Sequence, residues 1–179
     1  MRVDPTIAKL FAENVRAEVI APPPVVKLDL DMIQKIKKMV PMFSGMTPEC
    51  LTHTLAMAEY FPVKAGDIMF REGDIGDSFF VLISGEVVVE KFHNAQAVEL
   101  ARLVAGHCFG EMALVGRPVR TASVRATRDA MTLRFYRDLV DANVASAHIM
   151  YRNIASILAS RLDEASVTLT ALATQQAGS

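Results

Sequence analysis

A short stretch in the second half of the chain, residues 107–123, combines the residue types of an anion-binding site. Gly110 has no Cβ, so a ligand can approach its backbone closely. Residues 111–114 predict one short helical turn, which Gly116 and Pro118 end. The free N–H groups at the start of such a turn point outward and suit an anion.

Arg120 and Glu111 give this stretch two complementary chemistries. Arg120, which we expect on the next strand, stays charged at any working pH, and its planar set of donors fits a phosphate. A carboxylate beside a phosphate would repel it, so Glu111 needs a neutral partner such as a sugar hydroxyl. Together the two residues predict a nucleotide that carries few charges. The alternative is a tight turn in which Glu111 and Arg120 pair only with each other.

The same stretch resembles the phosphate-binding cassette of the cyclic nucleotide-binding domain family. This family includes catabolite activator protein, the regulatory subunits of protein kinase A and cyclic-nucleotide-gated channels. The resemblance has two halves at the family's usual separation, and two halves are more specific than either alone. They are Phe109-Gly110-Glu111-Met112-Ala113-Leu114 and Arg120-Thr121-Ala122-Ser123-Val124-Arg125-Ala126.

The resemblance implies a 3′,5′-cyclic monophosphate as the ligand. Arg120 would bind the exocyclic phosphate oxygens, together with the backbone N–H groups of Met112 and Ala113. Glu111 and the backbone of Gly110 would hold the 2′-hydroxyl of the ribose.

The family also suggests which residues contact and select the base. Apolar strand residues would flank it: Val98, Leu100 and Val124. A threonine directly after the cassette arginine, here Thr121, is common in relatives that accept cyclic GMP, because its hydroxyl can bond a guanine amine. Phe109 and Ala122 complete the ligand-binding residues that the resemblance implies. Channels with the same Arg-Thr-Ala-Ser string respond mainly to cyclic AMP. We therefore expect cyclic AMP as the ligand, with cyclic GMP as the close alternative.

The cassette needs a scaffold, and the remainder of the sequence predicts one. The chain has 179 residues and is 51% hydrophobic, which suits one domain with flanking helices. From residue 61 onward, short apolar runs alternate with glycine-marked turns, a pattern typical of a sandwich or jelly roll. The predicted fold class is mainly β with α: a β jelly-roll barrel flanked by N-terminal helices and a long C-terminal helix. The predicted strands span residues 68–70, 78–83, 86–92, 98–104, 122–126 and 130–136.

Capping residues and prolines divide the chain into four predicted parts. A helix from Asp4 to about Val19 and a proline-rich connector fill residues 1–24. Two further helices, 29–40 and 47–60, form a helical motif over residues 25–60. The β-roll would take residues 61–136, with the cassette at 106–123, and C-terminal helices with a tail would take residues 137–179.

The long helix predicted for residues 146–174 follows a short one at 137–143. Its apolar residues recur at heptad spacing, which favours a homodimer through a parallel coiled coil over a monomer. Arg161 resembles an arginine of the hyperpolarisation-activated channels that caps the purine. A surface ion pair with Asp163 or Glu164 is an equal alternative. The heptad positions are Tyr151, Ala155, Leu158, Leu162, Ala165, Leu169 and Leu172.

Composition argues against several classes of function. The net charge of -1 and the pI of about 6.4 favour neither nucleic acid nor membrane as a partner. No apolar run reaches the ~18 residues of a membrane span, and two widely spaced cysteines, Cys50 and Cys108, fit a reducing cytoplasm. The chain shows no Ser-His-Asp order, metal-ligand cluster or phosphate-binding Walker loop, so we expect neither an enzyme nor a cofactor.

These features predict a stand-alone regulatory protein. It would bind cyclic AMP or cyclic GMP in the β-roll and shift the position of the last helix to signal to an unknown effector protein. One alternative is an interaction module whose pocket is idle or takes another ligand, such as cyclic di-GMP. Another is a fragment of a larger channel or regulator.

Overall fold

Two four-stranded antiparallel sheets form the centre of the protein. The computed structural model describes residues 30–94, 96–116 and 118–177. One sheet has the order β1-β8-β3-β6 and the other β2-β7-β4-β5. This arrangement confirms the predicted β-roll with flanking helices. The strands are β1 (Glu59–Val63), β2 (Ile68–Phe70), β3 (Ser78–Ser84), β4 (Glu86–His93), β5 (Gln96–Val104), β6 (Cys108–Phe109), β7 (Ser123–Ala126) and β8 (Ala130–Tyr136).

Strand β3 contributes to both hydrophobic cores, because successive side chains of a strand point to opposite faces. Phe80 and Leu82 point between the two sheets, where they pack with residues such as Val87. Phe79 and Val81 point to the opposite face, where the helices cover the first sheet. Every residue of β3 from Ser78 to Leu82 is therefore buried.

Four helices flank the sheets: α1 (Leu30–Met39), α2 (Pro48–Ala56), α3 (Arg137–Ala142) and α4 (Val144–Ala177). The prediction that the second of them would end near Tyr60 was wrong. That helix, α2, ends at Ala56, and Tyr60 lies in β1, which pairs with β8. The predicted first helix and proline connector, residues 1–24, lie outside the described residues.

The start of α2 follows from its sequence. Thr47 caps the helix, since its side chain accepts a hydrogen bond of 3.2 Å from the backbone N–H of Cys50. Pro48 occupies the first helical position, where its missing N–H costs nothing.

Helix α4 has 34 residues and divides into a packed and a projecting part. Met150 and Ile154 are fully buried against the first sheet, whereas Leu162 is 68% exposed. The heptad positions do not share one environment: Tyr151 and Leu158 pack against the domain, and Leu169 faces a cavity. An α-helix drifts relative to a seven-residue repeat, so such positions rotate away from one face unless the helix supercoils.

None of the helices in the described parts of the chain combines the length and apolarity needed to cross a membrane.

Candidate functional site

A cavity of about 1050 Å³ lies between the second sheet, the loop around Glu111 and helix α4. Such a volume can hold a mononucleotide. Eleven of the twelve site residues predicted from the sequence line it: Leu100, Phe109, Gly110, Glu111, Met112, Ala113, Arg120, Thr121, Ala122, Val124 and Arg161. The twelfth, Val98, does not.

The backbone of Arg120 is held by one neighbouring loop. The prediction that Arg120 lies on a strand was wrong. It lies three residues before β7. Its N–H donates to the carbonyl of Asp74 (2.8 Å), and its carbonyl accepts from the N–H of Gly73 (2.9 Å). These two bonds to a neighbouring loop replace a regular ladder and fix where the side chain starts.

The guanidinium of Arg120 is buried, and two of its three nitrogens donate hydrogen bonds. Nη1 donates to the carbonyl of Gly110 at 3.0 Å, and Nη2 donates to the carbonyl of Ser78 at 2.7 Å. Nε is buried, and no residue of the described parts of the chain accepts a hydrogen bond from it. A buried donor without a partner is costly. An anion in the cavity would supply the missing acceptor.

Burial also lowers the pKa of the Arg120 guanidinium, and the neighbouring charge of Asp77 acts in the opposite direction. The residue itself is only 7% exposed. An arginine nevertheless remains protonated at every working pH. The site therefore carries a buried positive charge.

A 3₁₀ turn at Glu111–Ala113, which we call the cassette turn, faces the same cavity. Gly110 precedes it with φ +74°, a left-handed conformation that suits glycine. The N–H of Ala113 donates to the carbonyl of Gly110 at 3.2 Å, so it is partly engaged within the turn. The carbonyl of Ala113 accepts a hydrogen bond from Nη2 of Arg137, which ties the turn to the start of α3.

Glu111 is tied to helix α4 by Arg161. Nη1 of Arg161 donates to Oε1 of Glu111 at 2.6 Å, and Nη2 donates to the carbonyl of Cys108 at 2.7 Å. Glu111 is only 4% exposed. Within the described residues, Arg161 thus pairs with neither Asp163 nor Glu164, the ion pair that the sequence had offered as an alternative.

This geometry also separates the two charged residues of the cassette. Glu111 pairs with Arg161, and Arg120 donates to carbonyls. A simple ion pair between Glu111 and Arg120 is therefore not the arrangement of the site.

The apolar end of the cavity differs from the prediction in one residue. Leu100 and Val124 line it, but Val98 lies beyond it and is 46% exposed. The reason is strand pairing: Val98 is opposite Lys91, toward the tip of the β4–β5 hairpin.

Several lining residues were missed by sequence reasoning, and α4 supplies a set of them. Ile157, Ala165 and Leu169 line the cavity together with Arg161. These four positions are four residues apart, which places them on one face of a helix. Once Arg161 is assigned to the site, the spacing of four could have found the other three. Phe70 of β2 was also missed.

Cys108 is a buried neighbour of these groups and not a reactive one. Burial raises the pKa of its thiol to about 12, and the charge of Glu111 acts in the same direction. A thiol of this kind stays protonated and behaves as a small apolar residue.

Comparisons with known proteins show the family to which part of this chain is similar. Residues 61–145 match the family model of the cyclic nucleotide-binding domain. The chain is 32% identical over 138 residues to the cyclic AMP receptor protein of Thermus thermophilus, an alignment that covers 76% of this chain. It is 31% identical over 107 residues to the regulatory subunit of cAMP-dependent protein kinase from Emericella nidulans, covering 60% of this chain.

The fold has close counterparts among solved structures. The crystal structure of the Thermus thermophilus catabolite activator protein superimposes with a TM-score of 0.68 at 32% identity, covering 74% of this chain and 63% of that one. The chain spans 64% of the length of the Thermus receptor protein and 26% of the Emericella regulatory subunit.

Proposed function

We propose that this chain, whose residues 61–145 belong to the cyclic nucleotide-binding domain family, is a regulatory protein that binds a 3′,5′-cyclic purine mononucleotide in the cavity. The observation that carries the proposal is the buried Nε of Arg120, which has no acceptor among the described residues while both Nη atoms are anchored. The one negative charge of a cyclic phosphate matches this single buried guanidinium.

The phosphate would lie between Arg120 and the start of the cassette turn. Charge-assisted hydrogen bonds from Nε of Arg120 and from the N–H of Met112 would hold its exocyclic oxygens. The N–H of Ala113 would join them after release from Gly110, to which it is joined by a long bond of 3.2 Å.

The ribose would bind Glu111. A carboxylate has about four acceptor positions, so one oxygen can keep Arg161 while the other accepts from the 2′-hydroxyl. Sugar and helix α4 would then share one carboxylate. A ligand that orders Glu111 stabilises the docked position of α4 and shifts the equilibrium by its differential affinity for the two positions.

The purine would lie against Leu100, Val124 and the face of α4 that carries Ala165 and Leu169. We propose cyclic AMP as the first ligand and cyclic GMP as the second. The likeness to a protein named for cyclic AMP supports the first. Thr121 supports the second, because its hydroxyl now makes only a weak bond of 3.4 Å to Met112 Sδ and is available for a guanine amine.

The signal would leave the domain through α4, to an effector protein or to a second copy of the chain. Leu162 and Val167 are 68% and 71% exposed on the projecting part of this helix. No charged residue occurs from Ala165 to the end of the sequence. We therefore propose a homodimer through this helix, acting in the cytoplasm, where the free thiols of Cys50 and Cys108 would persist.

Titration calorimetry of the wild type with cyclic AMP, cyclic GMP and cyclic di-GMP tests this function. The proposal expects one mononucleotide per chain and no heat from the dinucleotide. Among the described residues that line the cavity, only Arg120 has a buried Nε without an acceptor, so a second phosphate finds no equivalent partner there. Binding of cyclic di-GMP alone, or of none of the three, would refute it.

A further inference from the structure

Phe70 forms a flat platform under the phosphate arginine. The Cζ atom of Arg120 lies 4.1 Å from the centroid of the Phe70 ring, within the range of a cation–π contact. Phe70 is the last residue of β2 and also lines the cavity.

The ring of Phe70 is itself held by an aromatic cluster. Its centroid lies 6.0 Å from that of Phe80 and 6.2 Å from that of Phe109. Phe80 and Phe109 stack on each other at 5.4 Å and are almost fully buried. Side chains packed in this way have little freedom, so the platform has one position.

Glycines leave the space that the guanidinium needs. A Cβ on Gly76 would overlap the guanidinium of Arg120, and a Cβ on Gly110 would lie 2.7 Å from its Nη1. The guanidinium is therefore fitted between two glycines, two carbonyls and one aromatic ring.

The groups in direct contact with the Arg120 guanidinium, two carbonyls and the Phe70 ring, are all neutral. In the parts of the chain that the structure describes, its hydrogen bonds go to carbonyls, and no carboxylate forms an ion pair with it. A buried charge needs compensation, yet a carboxylate at this point would repel a phosphate. The negative face of an aromatic ring attracts the cation without carrying a charge of its own.

We propose that Phe70 is the positioning residue of Arg120: its ring holds the guanidinium in one orientation without an ion pair, so that the ligand's phosphate is the first anion that hydrogen-bonds to Arg120. This inference rests on the proposed function for its consequence, the binding of a phosphate. The contact itself exists in the ligand-free protein and can be tested there.

The first experiment needs no nucleotide. Protons above an aromatic face are shifted upfield, so the Nε–H resonance of Arg120 should move downfield by several tenths of a ppm or more in Phe70→Leu and return in Phe70→Tyr. Phe61→Leu is the matched control, because Phe61 also packs on Phe80, at 5.6 Å, but contacts Arg134 instead of Arg120. An Arg120 resonance that is equal in wild type and Phe70→Leu would overturn the proposal.

The second experiment measures the consequence for binding. We expect Phe70→Leu to weaken binding of the cyclic nucleotide by about two- to thirty-fold, the range from an exposed to a desolvated cation–π contact. It should also reduce the discrimination between the Rp and Sp phosphorothioate analogues, which differ only in the exocyclic position of the sulfur. Loss of affinity with unchanged discrimination would show that Phe70 contacts the ligand without orienting Arg120, and would overturn the proposal. A wild type that binds no cyclic nucleotide would refute the proposed function, whereas the resonance test would still decide the Phe70–Arg120 contact.

Discussion

Replacing Arg161 by alanine should destabilise the ligand-free protein, because it leaves the buried carboxylate of Glu111 without a cation. Breaking a fully buried pair from one side costs about 3–5 kcal/mol. The Arg161 side chain is 34% exposed, whereas that of Glu111 is 5% exposed, and water therefore screens the pair in part. We expect a loss of about 1–3 kcal/mol in the free energy of unfolding.

Urea unfolding, followed by far-UV circular dichroism at neutral pH without ligand, measures this loss. In a chain of this length the same change lowers Tm by about 2–4 °C for each kcal/mol. Arg152→Ala is a matched control, since Arg152 lies on the same helix, is exposed, and forms no ion pair among the described residues. It should change the stability by less than about 0.5 kcal/mol.

A double-mutant cycle makes the test specific. Glu111→Gln removes the charge that Arg161 neutralises, so the double variant should lose less stability than the two single variants together. Strictly additive losses would show that Arg161 and Glu111 do not interact, and would refute the proposed link between cassette and helix.

Three further predictions concern Gly76, the two cysteines and Leu162. Gly76→Ala should lower the nucleotide affinity at least ten-fold, because the new Cβ would take the place of the Arg120 guanidinium. An unchanged affinity, measured by calorimetry, would contradict this. At pH 8 an alkylating reagent should modify Cys50, which is partly exposed, much faster than Cys108. Cys108 is 2% exposed, and burial raises the pKa of its thiol to about 12. Equal rates of alkylation, followed by peptide mass spectrometry, would exclude a buried, protonated Cys108. Leu162→Glu should convert the proposed homodimer to a monomer in light scattering, and a monomeric wild type at high concentration would end that proposal.

The strands of the β-roll were predictable because their signals are local. The apolar runs and the turns between them are visible in the sequence, so β2 and β8 were predicted with the bounds that the structure shows. Strand β6 was missed because two residues, Cys108 and Phe109, carry no periodicity. The end of α2 was misplaced because the Glu59–Val63 segment becomes a strand only by pairing with β8, a partner about 70 residues away.

The site residues that come from one segment could be predicted from the sequence. Their contacts with residues of other strands and of α4 could not. Gly110, Glu111 and Arg120 stand within eleven residues of each other, so their spacing was visible. The partners of Arg120, the Ser78 carbonyl and the Phe70 ring, come from other strands. The ion pair between Glu111 and Arg161 spans 50 residues. Only the fold brings these groups together, and no local pattern encodes them.

A crystal structure of the protein with the cyclic nucleotide that binds best tests the central claim most directly. We predict the phosphate within hydrogen-bonding distance of Arg120 Nε and of the Met112 N–H, and the 2′-hydroxyl on Glu111. A purine nucleotide bound elsewhere on the molecule, or a cavity that remains free of ligand at saturating concentration, would contradict the account.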